Sequence, residues 1–348
     1  MVYGITKAPG HDMNEIIVVE HLSKVFKVAR HQRGFGGSIK NLLNTKSTEI
    51  KAVDQVSFMI GEGECVGYIG PNGAGKSTTI KMLTGLLVPS SGKIHVSGYV
   101  PWRERQKYVG NIGVVFGQRT TLWWDLPVIE SFDLLQHIYK IPGDRYKANL
   151  DEFRALLDLD AFLNTPVRAL SLGQRMRADL CAALLHSPKL LFLDEPTIGL
   201  DVVAKERIRQ FIRSVNLERR TTILLTTHDL SDVEKLCDRT LIIDRGKILY
   251  DGSLDALQQR FGGKRILVVD FAELYPSVQV EGAEIKQSDG RRTMFCFERG
   301  NITASELIQR LSQRYRIQDL GVLEPEIEDT VRRIYEEQLL VSDSSSQG

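Results

Sequence analysis

Nine consecutive residues, GPNGAGKST (70–78), have the spacing G-x-x-x-x-G-K-[S/T]. They follow an apolar run, ECVGYIG (64–70), that predicts a strand, and they open KSTTIKMLTGLL (76–87), which predicts a helix. Glycines let the backbone wrap closely around a phosphate, and the amides at a helix start attract its negative charge. We therefore predict a nucleoside triphosphate site formed by Gly70, Pro71, Asn72, Gly73, Ala74, Gly75, Lys76, Ser77 and Thr78.

Two carboxylates after another apolar run supply the second part of this chemistry. The run LLFLDEP (190–196) predicts a buried strand that ends in Asp194 and Glu195. Lys76 can reach the β- and γ-phosphates, and the Ser77 hydroxyl and Asp194 can ligate Mg²⁺. Glu195, one residue further on, points elsewhere and can polarise an attacking water.

Composition narrows the class of protein. The chain has 348 residues, with 42% hydrophobic and 26% charged residues, as in a globular protein of two domains. A net charge of +1 gives no basic field that would favour nucleic acid as a partner. We find no transmembrane helix or signal peptide, and the four scattered cysteines predict reduced thiols in a cytosolic protein.

Apolar runs alternate with helical patterns, which predicts an α/β domain with a parallel sheet. Further strands are predicted at NIGVVFGQ (111–118) and TTILLTTHD (221–229), and a hairpin at RTLIIDRGKILYDGS (239–253). Residues 119–187 have few strand signals and predict an inserted helical subdomain. Beyond about residue 262, two strands and two amphipathic helices predict a small separate α/β module.

Taken in order along the chain, six elements resemble the nucleotide-binding subunit of an ABC transporter over roughly residues 17–255. They are the Walker A loop GPNGAGKST, VVFGQ with Gln118 as the Q-loop, the signature LSLGQ (170–174), the Walker B run LLFLDE, GLD with Asp201 as the D-loop, and TTHD with His228 as the switch histidine.

The resemblance implies the fold class α/β, a P-loop NTPase ABC cassette with a mixed sheet core, a helical subdomain and a small C-terminal α/β module. The expected divisions are an N-terminal extension (1–16), the cassette (17–260), an inserted basic loop (29–50), the helical subdomain (119–187), the C-terminal module (264–340) and a disordered tail (341–348).

It also implies a site shared between two copies, in a homodimer or paired cassettes. The signature of one copy would clamp the γ-phosphate of the ATP held by the other, through Ser171 and the amide of Gly173, with Gln174 near the ribose. Leu172 departs from the family's usual glycine. We expect it to be tolerated if it lies in the first turn of a helix, and to weaken the site if the position needs a positive φ.

For hydrolysis, the resemblance makes Glu195 the general base and His228 the bridge between that carboxylate and the γ-phosphate. Gln118 would approach the Mg²⁺ and the water, and Asp201 would pass the state of one site to the other. Phe26 would stack on the adenine. A core position for Phe26 is the alternative.

The expected partner is a separate membrane permease, with the chain peripheral on the cytoplasmic face of the membrane. Trp123 and Trp124 follow the Q-loop and are candidate contacts to the permease, or else they pack inside the subdomain. The basic insertion is either a solvated loop or a contact to anionic headgroups or the permease. The C-terminal EPEIEDTVRRIYEE resembles the tails of daunorubicin-resistance-type exporter ATPases, which suggests export.

Two other classes compete with a transport ATPase. A non-transport ABC ATPase acting on nucleic acid or the ribosome would need a long coiled coil, zinc-binding cysteines or two cassettes, and none is visible in the sequence. A non-catalytic nucleotide-binding regulator is disfavoured because Glu195 and His228 are both present.

Overall fold

The computed structural model describes residues 14–29, 47–117, 119–261, 264–298, 300–323 and 327–344. Gln118 lies outside the described residues. So do residues 1–13 and 30–46, which fall within the predicted extension and the predicted insertion. The chain divides into two compact units, with the boundary between Asp251 and Gly252. In the part of the chain that is described, no helix combines the length and the apolar character needed to cross a membrane.

The strands are β1 (Glu15–Ala29), β2 (Ser47–Gly61), β3 (Cys65–Ile69), β4 (Ser91–Val96), β5 (Ile112–Phe116), β6 (Leu190–Asp194), β7 (Thr222–Thr227), β8 (Arg239–Asp244), β9 (Lys247–Gly252), β10 (Lys264–Phe271), β11 (Glu284–Asp289), β12 (Arg292–Glu298) and β13 (Ile317–Leu323). The helices are α1 (Lys76–Leu83), α2 (Arg105–Val109), α3 (Val128–Tyr139), α4 (Gly143–Leu157), α5 (Leu172–Leu184), α6 (Val202–Arg219), α7 (Leu230–Leu236), α8 (Leu254–Phe261), α9 (Ala304–Ser312) and α10 (Ile327–Ser344).

The central sheet of the first unit has the order β5-β6-β7-β3-β8-β9. Its β5–β6, β6–β7, β7–β3 and β3–β8 pairs are parallel, and β9 follows β8 across a two-residue turn, so the sheet is mixed as predicted. Strands β3, β6 and β7 are almost entirely buried, which explains their continuous apolar sequences. Because parallel strands end at the same edge, the residues that follow β3, β6 and β7 lie beside one another.

A second, antiparallel sheet of the first unit has the order β2-β1-β4. The predicted insertion (29–50) and extension (1–16) are both too long, because Ala29 pairs with Ser47 and β1 already begins at Glu15. Apolar and β-branched residues facing each other, such as Phe26 opposite Ile50, carry the ladder into the predicted loop.

Residues 119–187 hold α3, α4 and α5, as the lack of strand signals predicts. The helix predicted for 76–87 ends earlier, at Leu83. Gly85 follows with φ +72°, a left-handed conformation that ends helices and favours glycine.

The second unit is built on an antiparallel sheet of order β11-β12-β10-β13. Its core joins sheet residues such as Leu267 and Phe295 to Leu307 and Leu311 of α9. Helix α8 contacts α10, so residues 252–260, predicted as part of the first domain, belong to this unit. Helix α10 continues to Ser344, past the predicted start of the tail at residue 341.

Candidate functional site: a phosphate cradle facing a carboxylate–histidine pair

The phosphate-binding loop connects β3 to α1 in a tightly packed turn. Gly73 and Gly75 have φ of +84° and +108°, which only glycine adopts easily. A Cβ at Gly75 would lie 2.3 Å from the Ala52 carbonyl oxygen, so strand β2 packs directly against the loop. Helix α1 begins at Lys76 and has no side-chain cap, and the unpaired first amides of a helix suit an anion.

Lys76 is 6% exposed and its ammonium group lies among oxygens of the site. Its Nζ donates to the carbonyl oxygens of Gly70 (2.6 Å) and Pro71 (3.3 Å) and lies 3.8 Å from Glu195 Oε1. Burial lowers the pKa of Lys76, and the carboxylates of Glu195 and Asp194 oppose that shift. The positive charge of Lys76 is thus buried, and the carboxylates of Glu195 and Asp194 partly balance it.

Asp194 and Ser77 come together at the end of β6. Asp194 Oδ1 accepts hydrogen bonds from Ser77 Oγ at 3.3 Å and from Thr226 Oγ1 at 2.5 Å. A hydroxyl and a carboxylate side by side next to a phosphate cradle are the hard oxygen donors that Mg²⁺ takes. The residues present therefore fit this ion.

Glu195 turns away from Asp194 because its backbone is left-handed, with φ +57°. The Glu195 N–H donates to the Thr226 carbonyl at 2.9 Å. A Cβ at Gly117 would lie 2.2 Å from the Glu195 carbonyl oxygen. The side chain reaches His228, whose Nδ1 lies 2.7 Å from Glu195 Oε2. A carboxylate only accepts, so an ionised Glu195 takes a hydrogen bond from this nitrogen.

The stretch SLGQ forms the capped start of α5. Ser171 Oγ accepts from the Gln174 N–H at 3.2 Å, and Gln174 Oε1 accepts from the Ser171 N–H at 2.9 Å, which is a capping box. Leu172 is the first helical residue and is not among the positive-φ residues, so its position does not need glycine. Among the described residues, no hydrogen bond joins this segment to the phosphate loop of the same chain.

Asp201 caps the next helix and lies beside this segment. Its Oδ1 accepts from the Ala204 N–H at 2.8 Å at the start of α6. A Cβ at Gly173 would lie 3.5 Å from Ala204 Cβ, so the first turns of α5 and α6 are neighbours.

Phe26 lies on β1 with 38% of its surface exposed, which rules out the core alternative. Lys24, two residues earlier, pairs with Val53, and Val53 Cγ2 would be 3.4 Å from a Cβ at Gly75. Phe26 is therefore about 7 Å along the strand from a point that touches the phosphate loop.

Trp123 and Trp124, predicted either to meet a partner or to pack inside, are 39% and 51% exposed. Leu134 and Ile138 on α3 are also exposed, at 40% and 59%. Neither tryptophan is a core residue.

Sequence reasoning missed two buried carboxylates of the first unit. Asp232 on α7 is 0% exposed and pairs with Arg209 on α6. Asp179 on α5 is 4% exposed and accepts hydrogen bonds from Thr120 and Thr121. Asp179 interrupts the apolar half of its helix, a signal that would have identified it. Asp232 follows a helix cap, where an exposed acid is ordinary.

A phosphate loop, an Mg²⁺-type oxygen pair and a carboxylate–histidine contact at one sheet edge define a nucleotide-hydrolysing P-loop ATPase. The family described as ABC transporter matches residues 53–198. The daunorubicin resistance ATP-binding protein DrrA3 of Streptomyces coeruleorubidus is 37% identical over 219 residues, 63% of this chain and 69% of that protein. The Nod factor export ATP-binding protein I of Ralstonia nicotianae is 32% identical over 260 residues, 74% of this chain and 80% of that protein.

Among solved structures, the dimeric structure of MJ0796, a bacterial ABC transporter cassette, superposes with a TM-score of 0.57 at 25% identity. The superposition covers 68% of this chain and 98% of that one. The chain belongs to the ABC transporter ATP-binding proteins, and it is an ATPase of that family.

Proposed function

We propose that this chain powers export through a separate membrane permease, to which it binds on the cytoplasmic face of the membrane. Support comes from relatives that are named for export and drug resistance. Their similarity to this chain extends beyond the phosphate-loop region. The transported compound would be selected by the permease. The C-terminal module (about 264–340) is proposed as an accessory domain of the exporter subunit.

In the proposed mechanism, Glu195 is the general base that accepts the proton of the attacking water. His228 orients the Glu195 carboxylate through the 2.7 Å contact of its Nδ1. Its other ring nitrogen would bond to the γ-phosphate. Lys76 and the loop amides hold the β- and γ-phosphates and offset their charge. This geometry of Glu195, His228 and Lys76 is the observation that carries the hydrolytic part of the proposal.

Ser77 and Asp194 would hold the proposed Mg²⁺. Gln118, which lies outside the described residues, stays a predicted further ligand that would also approach the water. The ion supplies charge neutralisation on the phosphate oxygens. Thr226, which donates to Asp194 Oδ1 at 2.5 Å, keeps that carboxylate turned toward Ser77.

The second half of each ATP site is proposed to come from another copy, in a homodimer or paired cassettes. The Ser171–Gln174 capping box takes up the N–H groups of Ser171 and Gln174, so the amides that could meet an anion at the start of α5 are those of Leu172 and Gly173. Within the described residues, neither of these two amides bonds to the phosphate loop of the same chain. Phe26 would stack on the adenine, and Asp201, at the neighbouring start of α6, would link the two sites.

The exposed apolar residues of the helical subdomain, Trp123, Trp124, Leu134 and Ile138, are the proposed contacts to the permease. Exposed tryptophans of this kind are anchors of protein interfaces. For the basic insertion, contact with the permease or anionic headgroups stays a prediction, since residues 30–46 lie outside the described ones.

Glu195→Gln tests the hydrolytic role. The variant should keep its affinity for ATP, because Glu195 faces Lys76 and His228 rather than the loop amides, and should lose at least about 10²-fold in turnover. It should also form an ATP-stabilised dimer, measurable by light scattering. Turnover like that of the unchanged protein would remove Glu195 from the role. Co-purification with a membrane protein, rather than with nucleic acid or ribosomes, tests the assignment to a transporter.

A further inference from the structure

A buried ion pair lies behind the carboxylate–histidine contact. Asp232 on α7 is 0% exposed, and its Oδ1 accepts from Arg209 Nε on α6 at 2.6 Å. Arg209 is 8% exposed and also donates to Ser231 Oγ at 2.8 Å. A charge pair this deeply buried is costly to disturb, so it forms a fixed point in the fold.

The other oxygen of this carboxylate connects two loops. Asp232 Oδ2 accepts one hydrogen bond from the Thr197 hydroxyl and another from the Thr227 hydroxyl, the latter at 3.3 Å. Thr197 is two residues after Glu195, and Thr227 immediately precedes His228. One carboxylate oxygen thus holds both of the segments whose side chains meet at the catalytic contact.

Both segments need such a restraint. Glu195 has a left-handed backbone, φ +57°, which non-glycine residues rarely adopt. The His228 side chain is 53% exposed, so packing alone does not hold it. The position of His228 therefore depends on the hydrogen bonds of its two chain neighbours. Thr227 donates to Asp232, and Asp229 Oδ2 accepts from Lys205 Nζ at 2.7 Å.

We propose that Thr197 and Asp232 are positioning residues that keep Glu195 and His228 in contact through one shared carboxylate oxygen. Neither residue touches the phosphate loop in the hydrogen bonds of the described residues, so they act on turnover rather than on ATP affinity. The inference rests on the roles proposed above for Glu195 and His228.

Thr197→Val is the direct test. Valine keeps the shape of the side chain and removes only the hydroxyl, while Asp232 stays paired with Arg209. We expect kcat for Mg-ATP to fall about ten- to a hundredfold, since a misplacement of about 1 Å costs up to about 10²-fold. KM and the affinity for a fluorescent ATP analogue should be unchanged. Thr197→Ser keeps a hydroxyl and should restore turnover.

Thr240→Val is the matched control. Thr240 lies on β8, is 0% exposed, and its hydroxyl has no hydrogen-bond partner among the described residues. The same isosteric change there should leave kcat as it is. Thermal unfolding of every variant shows whether it is folded. If Thr197→Val is not, Thr227→Val removes the other hydroxyl from the same oxygen, together with the acceptor of the Asp229 N–H, and should give at least the same loss.

A merely structural role is separated by combining the change with Glu195→Gln. A positioning residue acts through Glu195, so Thr197→Val should have little further effect on the residual turnover of Glu195→Gln. An equal fold-loss in both backgrounds, or normal kcat in the folded single variant, overturns the inference. Normal turnover in Glu195→Gln alone would instead refute the proposed role of the base, so the two failures are distinct.

Discussion

Burial of Asp179 makes the stability of the first unit depend on pH. Asp179 is 4% exposed, and its Oδ1 accepts from Thr120 Oγ1 (2.8 Å), Thr121 N (3.0 Å) and Thr121 Oγ1 (3.2 Å). Burial raises its pKa from 3.8 to about 6, although these hydrogen bonds oppose the shift. The three bonds fix Thr120 and Thr121 to helix α5, which begins at Leu172.

The direction of the effect follows from proton binding. An acid whose pKa is raised on folding binds its proton more tightly in the folded state, so its contribution to stability is fully present below pH 3.8 and is lost as the pH rises to about 6. A shift of this size corresponds to about 3 kcal/mol.

Asp179→Asn removes the charge and keeps an oxygen in the place of Oδ1, which can accept the same three hydrogen bonds. The free energy of unfolding of the variant, minus that of the unchanged protein, should therefore rise by about 2.4 kcal/mol between pH 4 and pH 7, because the unfolded state is already partly ionised at pH 4. Urea unfolding followed by tryptophan fluorescence measures it, because Trp102, Trp123 and Trp124 all lie in the first unit.

Asp179→Ala is the control for the hydrogen bonds. It also lacks the titrating group, so it should show the same pH dependence relative to the unchanged protein. At every pH it should be about 1–3 kcal/mol less stable than Asp179→Asn, because the Thr120 and Thr121 donors lose their acceptor. A difference between Asp179→Asn and the unchanged protein that stays constant from pH 4 to pH 7 would refute the reasoning.

Three further changes test the nucleotide site. Ser171→Ala removes the acceptor for the Gln174 N–H, so it should cost about 1 kcal/mol of unfolding free energy. Because it also removes the proposed contact in trans, it should lower ATPase turnover about 10²-fold. Ser171→Thr should keep both properties, and normal turnover in Ser171→Ala would contradict the proposed contact. Phe26→Ala should weaken ATP binding by about 1–3 kcal/mol, measured by titration with a fluorescent analogue; unchanged affinity would exclude stacking. Leu172→Gly should leave turnover unchanged and lower the unfolding free energy by about 0.5–1 kcal/mol, because glycine is unfavourable in a helix; a marked gain in turnover would mean that leucine impairs the site.

The sequence predicts the centre of this fold well because the signals there are local. The apolar runs of β3, β6 and β7 need burial on both faces, and only a parallel sheet provides it. Once these strands are parallel and adjacent, Lys76, Asp194 and His228 must lie at one edge, wherever they stand in the chain. The prediction fails where pairing continues through a polar sequence, as in Ala29 opposite Ser47.

The buried charges were missed for a different reason. Arg209 belongs to a helix of alternating charges, ordinarily a solvated surface, and Asp232 lies 23 residues away on another helix. Their burial is decided by how α6 and α7 pack, which no local pattern records. Yet α6 starts at the Asp201 cap and carries Lys205 and Arg209 on its next two turns, each bonded to the segment after His228. These charges, which resemble a solvated surface in the sequence, therefore connect the Asp201 cap to the segment after His228 through one helix.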